Sequence, residues 1–146
     1  MLSPKPEFLP YRSTEPESRR KGTVVNMEQK IMLVDDAAFM RMTIKNCLQR
    51  AGYTNLVEAE NGMTACEMYQ NEMPDLVIMD ITMPDLDGIQ ALRAIKIMDP
   101  KAKVVMCSAM GQEAMVVEAI RLGALDFIVK PFKPNRILQT VSKILG

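Results

Sequence analysis

Short apolar runs alternate with segments of helical periodicity along the chain, and this alternation constrains the fold more than any other feature. Three runs are continuously apolar, at residues 31–34, 76–79 and 104–107, as expected for strands that helices cover on both faces. The run at Leu56–Glu60 is half polar and indicates an edge strand, and Leu125–Val129 supplies a fifth strand. Apolar residues recur at helical spacing after each run.

Five β–α units in strict alternation predict an α/β fold, because parallel strands need crossover connections, and helices pack on both faces of such a sheet. With the polar second strand at an edge, we expect a doubly wound, five-stranded parallel sheet in the flavodoxin-like order 2-1-3-4-5. The first helix is expected to stop at Gly52 and the last to begin at Pro134. Such a sheet has its switch point between strands one and three.

The first 29 residues differ in composition from the rest of the chain. They contain four of the nine prolines, charges of both signs and no apolar core of a signal peptide. We therefore expect a disordered N-terminal extension or an artificial tail over residues 1–29, with Met27 as a candidate start. One domain is expected over residues 30–146.

Composition excludes several classes of function. The 18 basic residues balance the 18 acidic ones, so no net field attracts nucleic acid or an anionic membrane. The chain has no histidine, which excludes an imidazole base, a Ser–His or Cys–His nucleophile and a phosphohistidine relay. Its three cysteines form no CxxC pair and are interpreted as buried thiols in a reducing cytosol. No apolar run reaches membrane-spanning length, and we expect a cytoplasmic protein.

Polar residues of complementary charge follow four of the five predicted strands. Asp35 and Asp36 follow the first strand, Asp80 the third, Ser108 the fourth and Lys130 the fifth. The carboxyl ends of parallel strands share one rim, and ligands bind on that rim at the switch point. We therefore expect three carboxylates, a hydroxyl and an ammonium group to converge.

Three neighbouring carboxylates repel one another unless a cation compensates their charge. Mg²⁺ suits such a site because it takes a few carboxylate oxygens, keeps several waters and accepts phosphate oxygens. The metal would neutralise an incoming phosphoryl group and permit attack by a carboxylate. Lys130 would add a second positive charge, and Ser108 could donate a hydrogen bond to a phosphoryl oxygen.

Each of these residues has an ordinary structural explanation when it is considered alone. Asp36 could cap the first helix, Ser108 could be a turn hydroxyl, and a lysine before a proline is usually on the surface. Their joint position at one rim favours a site. Glu60–Asn61, after the second strand, is interpreted as a helix cap.

Four motifs make the chain resemble the receiver domains of response regulators over about residues 30–145: LVDDAAFMR, MDITMPDLDG, MCSAMG and GALDFIVKPF. The chain is similar to the stand-alone chemotaxis type found in Gram-positive bacteria and Thermotoga. The resemblance implies that Asp80 accepts the phosphoryl group and that Asp36 and Asp80 bind Mg²⁺ directly. It also implies that Asp35 acts through water, that the backbone carbonyl of Thr82 completes the ligand set, and that Lys130 contacts the phosphoryl group.

The same resemblance implies a switch. Ser108 would move to hydrogen-bond the phosphoryl group, and Phe127, at a position where the family often has Tyr, would turn into the vacated space. Thr82 and Met110 lie at positions that tune dephosphorylation in the family, and the Lys130–Pro131 bond is expected to be cis. This couples the rim to the surface of helix four, strand five and helix five, where partners bind.

The implied partners are a sensor histidine kinase of chemotaxis, the flagellar motor switch protein and a phosphatase, and the protein is expected to be a monomer. It would catalyse only its own phosphorylation and dephosphorylation and is otherwise not an enzyme. The chain ends at Gly146 after the last helix, so we expect no DNA-binding output domain. A phosphorelay intermediate remains an alternative.

Other chemistries fit the sequence less well. A haloacid-dehalogenase-type phosphatase needs a second aspartate two residues after its nucleophile, and Thr82 stands two residues after Asp80. The run Asp85–Gly88 fails as a Ca²⁺ loop, because Met83 and Ala94 would occupy the first and last ligand positions. No Gly-rich phosphate-binding motif of the P-loop or dinucleotide type is present.

Overall fold

A computed structural model describes residues 28–146 of the chain. Five strands and five helices alternate in it: β1 Lys30–Val34, α1 Ala38–Arg50, β2 Asn55–Ala59, α2 Gly62–Glu72, β3 Leu76–Asp80, α3 Gly88–Met98, β4 Val104–Ser108, α4 Glu113–Arg121, β5 Asp126–Val129 and α5 Pro134–Leu145. The extension expected over residues 1–29 lies outside the described residues except for its last two. Of these, Gln29 donates a hydrogen bond of 3.1 Å from its side-chain amide to the carbonyl of Leu145.

The strands form one parallel sheet in the order β2-β1-β3-β4-β5, which confirms the predicted fold. All residues of β3 and β4 are buried, whereas β2 is half-buried at the edge. The predicted β2 begins and ends one residue too late. The ladder to β1 ends with the pair Val34–Ala59, and Glu60 leaves the sheet toward the cap of α2.

Alternate strand residues face two apolar cores, because successive side chains of a strand point to opposite faces. Ile31 and Leu33 pack with α1 and α5, while Met32 and Val34 pack with α2, α3 and α4. This explains why the central strands are continuously apolar. No helix among residues 28–146 is long and apolar enough to span a membrane.

The three cysteines are free, and Cys47 and Cys107 are buried. Burial raises the pKa of the Cys107 thiol to about 12, so that it stays protonated and unreactive near neutral pH. Cys47 and Cys107 thus fit the interpretation as buried thiols, whereas Cys66 is half-buried.

Candidate functional site

Three carboxylates converge at the carboxyl rim of the sheet, where β1 and β3 lie side by side. One oxygen each of Asp35, Asp36 and Asp80 lies within 4.8 Å of the other two. Asp35 and Asp80 are only 4% and 8% exposed, whereas Asp36 faces solvent. The site therefore holds two buried negative charges that water alone screens poorly.

Lys130 reaches this cluster from the end of β5. Its Nζ atom donates a 3.0 Å hydrogen bond to Oδ2 of Asp35 and lies 3.3 Å from Oδ1 of Asp80. The Lys130–Pro131 peptide bond is cis, as the resemblance implied. One ammonium group thus compensates two of the three carboxylates.

Local contacts of Asp35 leave its orientation well defined. Its Oδ1 atom accepts a 2.9 Å hydrogen bond from the backbone N–H of Ala37, and its carbonyl accepts one of 2.5 Å from Arg41.

Ala37 rather than Asp36 is the N-cap residue of α1, and no side chain caps that helix. The explanation of Asp36 as a helix cap is therefore wrong, and its carboxylate faces the cluster and solvent.

Burial and the charge of Lys130 act in opposite directions on the pKa of Asp80. Burial is the largest influence and raises the pKa of its carboxyl above the ordinary value, and the charges of Asp35 and Asp36 add to this. Lys130 opposes them by favouring the carboxylate. For Lys130 itself, burial lowers the pKa, but the hydrogen bond to Asp35 and the charge of Asp80 outweigh it and leave the pKa raised. Because three carboxylates face one ammonium group, the cluster attracts a further cation.

Ser108 ends β4 and is only 1% exposed, yet no residue between 28 and 146 hydrogen-bonds its hydroxyl. A buried hydroxyl without a partner is costly and marks a position where a ligand or water can bind. Its side chain lies on the α4 side of the sheet, as does that of Phe127 on β5, because Met106 pairs with Phe127. The structure thus places both predicted switch residues on one face.

An apolar groove of about 700 Å³ separates α4 from β5. The residues that line it include Ser108, Phe127 and the aliphatic residues Val116 and Ile120 of α4. Phe127 is 36% exposed and lines this groove, so its ring is not enclosed in the core. Met110 also lines the groove and is exposed.

The backbone around Asp80 is held in place by the start of α3. The N–H of Gly88 donates a 2.7 Å hydrogen bond to the carbonyl of Ile81, and a Cβ atom at Gly88 would lie 2.1 Å from the carbonyl oxygen of Asp80. Asp87 caps this helix by accepting from the N–H of Gln90 at 2.8 Å. The acidic run before Gly88 therefore ends in a helix cap, which agrees with the conclusion that this run is not a Ca²⁺ loop.

The donor set fits a small, hard cation. Carboxylate oxygens from three residues meet at a rim open to water, and the exposed Thr82 lies two residues beyond Asp80. Oxygen ligands that leave room for water are those Mg²⁺ prefers.

Sequence reasoning missed two residues that contact this region, Gly88 and Gln112. The Gln112 side chain donates a 2.6 Å hydrogen bond to the hydroxyl of Thr82 and accepts one of 2.6 Å from the N–H of Ala109. Neither belongs to a strand end, and a contact across 30 residues leaves no trace in the local pattern. The Asp87–Gly88 pair, at the start of α3, was the one local sequence signal of a tight turn.

Residues 31–142 match the response regulator receiver domain family. The chain belongs to that family. Receiver domains generally bind Mg²⁺ at an acidic pocket, share a phosphorylation mechanism, and act as signalling switches rather than classical enzymes.

Known receivers resemble this one closely. The chemotaxis protein CheY of Bacillus subtilis is 56% identical over 120 residues, covering 82% of this chain and all of that protein. The chemotaxis protein CheY of Thermotoga maritima is 52% identical, covering 81% of this chain and 98% of that protein. A chain of the CheX–CheY–BeF₃–Mg²⁺ complex from Borrelia burgdorferi superposes with a TM-score of 0.76 at 34% identity, covering 80% of this receiver and 89% of that chain.

Proposed function

We propose that this receiver is a chemotaxis response regulator that is phosphorylated on Asp80 by a histidine kinase. The observation that carries the proposal is the Lys130 ammonium group between Asp35 and Asp80, beside a third carboxylate at the switch point of the sheet. Residues 30–146 form the functional receiver domain in this proposal, and residues 1–29 are an extension that the phosphoryl chemistry does not need.

Asp36, Asp80 and the carbonyl of Thr82 would hold Mg²⁺ directly, and Asp35 would act through a bound water. Both Asp35 oxygens already accept hydrogen bonds, from Ala37 and Lys130, which supports the indirect role. When bound, the metal supplies positive charge that offsets the repulsion between the cluster and an incoming phosphoryl group.

Asp80 acts as the nucleophile. A bond forms between its carboxylate oxygen and the donor phosphorus, while the bond from phosphorus to the kinase imidazole, or to the acetate of acetyl phosphate, breaks. Lys130 stabilises charge on the transferred oxygens, since its Nζ atom already lies 3.3 Å from the nucleophile. The receiver would thus catalyse its own phosphorylation and dephosphorylation.

The phosphoryl group then changes the shape of the surface between α4 and β5. It adds a charge of about −1.5 to −2 and new acceptor oxygens. Ser108, whose hydroxyl has no partner among residues 28–146, would donate to one of these oxygens. The Phe127 ring would then enter the groove of about 700 Å³ that Ser108 borders. The altered α4–β5–α5 surface would bind the flagellar motor switch protein. A phosphatase would remove the phosphoryl group and end the signal. In this proposal the regulator is cytoplasmic and monomeric.

Labelling with acetyl phosphate tests the chemistry. Wild-type protein is incubated with and without Mg²⁺, and the phosphoryl adduct is measured by intact-protein mass spectrometry. We expect an adduct that requires Mg²⁺ and is absent from Asp80→Asn. Asp85→Asn, an exposed aspartate in the neighbouring loop, is the matched control and should label normally. Equal labelling of Asp80→Asn would contradict the assignment.

A binding experiment tests the chemotaxis role against a phosphorelay. The BeF₃⁻-loaded receiver is titrated with an N-terminal peptide of a motor switch protein and, separately, with a phosphotransfer protein. Tighter binding of the peptide in the loaded form supports chemotaxis. Transfer of the phosphoryl group from receiver labelled with acetyl phosphate to the phosphotransfer protein, without peptide binding to the BeF₃⁻-loaded receiver, would favour the relay.

A further inference from the structure

The carboxamide of Gln112 bridges two loops that flank Asp80. Its Nε2 atom donates a 2.6 Å hydrogen bond to Oγ1 of Thr82, in the loop after β3. Its Oε1 atom accepts a 2.6 Å hydrogen bond from the N–H of Ala109, the first residue after β4. Nε2 also lies 4.0 Å from the sulfur of Met115. One side chain thus ties the loop after the phosphoryl acceptor to the loop after Ser108.

Packing contributes little to holding the second loop. Ala109, Met110 and Gly111 are all exposed, and a Cβ atom added to Gly111 would meet nothing within 4 Å. Gly111 also has a positive φ of 89°, which glycine adopts without steric cost, and it carries no side chain that could pack. Among residues 28–146, the bond from Ala109 to Gln112 is the one hydrogen bond of the Ala109–Gly111 backbone. Gln112 is therefore the main restraint on this loop.

We propose that Gln112 is a positioning residue that sets the lifetime of the phosphorylated state; this rests on the function proposed above. In hydrolysis, a water oxygen bonds to phosphorus while the bond between phosphorus and the Asp80 oxygen breaks. Orthophosphate leaves with the protons of the water, and the Asp80 carboxylate is restored. By fixing Ala109 to Thr82, the Gln112 carboxamide narrows the approach of that water and holds Ser108 where its hydroxyl can reach a phosphoryl oxygen.

Two measurements on Gln112→Met test the proposal, because methionine keeps the length of the side chain and removes both polar atoms. In the unphosphorylated protein, hydrogen exchange of the Ala109 amide, followed by NMR, should accelerate by about threefold to tenfold, as expected for one lost hydrogen bond. After labelling with acetyl phosphate and removal of the donor, the first-order loss of the adduct should accelerate by a similar factor.

Two further variants separate positioning from general loosening of the fold. Gln112→Glu keeps an acceptor for Ala109, and the Thr82 hydroxyl can donate to its carboxylate, so its hydrolysis rate should lie closer to wild type than that of Gln112→Met. Gln49→Met, on the exposed side of α1, is the matched control and should leave both rates unchanged.

The outcomes distinguish this proposal from the one on which it rests. Failure of the wild type to label would overturn the proposed function and the role of Gln112 with it. Normal labelling with equal hydrolysis rates in wild type and Gln112→Met would overturn the positioning role alone. Unchanged exchange of the Ala109 amide would show that the bridge itself is absent in solution and would also overturn it.

Discussion

At the scale of single residues, Lys130 places one ammonium group between two buried carboxylates. It lies 3.0 Å from Asp35 and 3.3 Å from Asp80, and both carboxylates are buried. A charge pair that is broken from one side leaves the other charge buried without compensation, which costs more than the pair itself contributes. Lys130 therefore stabilises the rim, and in the proposed function it would also stabilise the transferred phosphoryl group.

We expect Lys130→Met to lower the free energy of unfolding by about 1–3 kcal/mol, because it leaves the buried carboxylates of Asp35 and Asp80 without their hydrogen-bonding cation. The rate of Asp80 labelling by acetyl phosphate should fall by about tenfold to a hundredfold. Urea denaturation and time-resolved mass spectrometry measure the two effects. Lys133→Met, at the exposed start of α5, is the control, and an equal loss of labelling there would contradict a specific role for Lys130.

The raised pKa of Asp80 predicts a pH-dependent effect of neutralising it. The folded state holds the proton of the Asp80 carboxyl more tightly than the unfolded chain does, so protonation of Asp80 favours folding in acid. This contribution to stability is lost as pH rises through the pKa of Asp80 in the folded state. At pH 7 without divalent metal, Asp80→Asn should therefore raise the free energy of unfolding. The gain should disappear below about pH 4, the ordinary range of an aspartate, where both states are protonated.

Urea denaturation of both proteins in EDTA across this pH range checks the prediction. Lys130 retains Asp35 as a partner in the variant, so loss of the Asp80 charge does not leave it unpaired. A variant less stable than wild type at neutral pH would show that the Lys130 contact, rather than burial and repulsion, dominates the energy of Asp80.

At the scale of elements, the start of α3 is pressed against the end of β3. The capping box of Asp87 and Gln90 fixes where the helix begins. Gly88 then meets the Asp80 carbonyl so closely that any side chain would overlap with backbone, which cannot move as a flexible side chain can. This contact restrains the backbone of Asp80 at the end of β3.

Gly88→Ala should cost about 3 kcal/mol or more, because the overlap forces a shift of α3 or of the Asp80 backbone. Labelling of Asp80 should fall as well. Gly111→Ala is the control: its Cβ would meet no atom, and only its positive φ of 89° costs energy, about 1 kcal/mol. Urea denaturation compares the two, and equal destabilisation would argue against a close approach at Gly88.

At the scale of the whole molecule, the topology concentrates charge at a single edge. Strands β1, β3 and β5 bring residues up to 95 positions apart into hydrogen-bond distance. The repulsion between the carboxylates is a cost that the folded protein carries and the unfolded chain largely avoids. A cation that binds the folded rim alone must therefore stabilise the entire domain.

We expect Mg²⁺ to raise the melting temperature of the wild type in a concentration-dependent manner. At a hundred times its dissociation constant the gain should reach about 2.7 kcal/mol, since the metal binds only the folded state. Differential scanning calorimetry measures the shift. Asp36→Asn removes a solvent-exposed carboxylate of the cluster and should reduce it, whereas an unchanged shift would place the metal elsewhere.

Much of this architecture could be predicted from the sequence. Continuous apolar runs are typical of strands covered on both faces, and the polar second run indicated the edge, so the order 2-1-3-4-5 fitted the pattern. Because parallel strands end at a common rim, the positions of Asp35, Asp80, Ser108 and Lys130 after four of those runs predicted their convergence. The one-residue error in β2 arose because Glu60 extends a strand-like pattern beyond the last pairing with β1.

Tertiary structure alone decided how the rim is held and where it can change. The Gln112 bridge spans 30 residues, the Gly88 contact depends on the path of a loop, and the groove beside Phe127 depends on the distance between α4 and β5. None of these contacts could be predicted from hydrophobic periodicity, because that periodicity indicates only which face of a helix or strand is buried. The alternation of apolar runs predicted the fold and, with the polar residues at the strand ends, their convergence at one edge, whereas contacts between distant loops determined the geometry around Asp80.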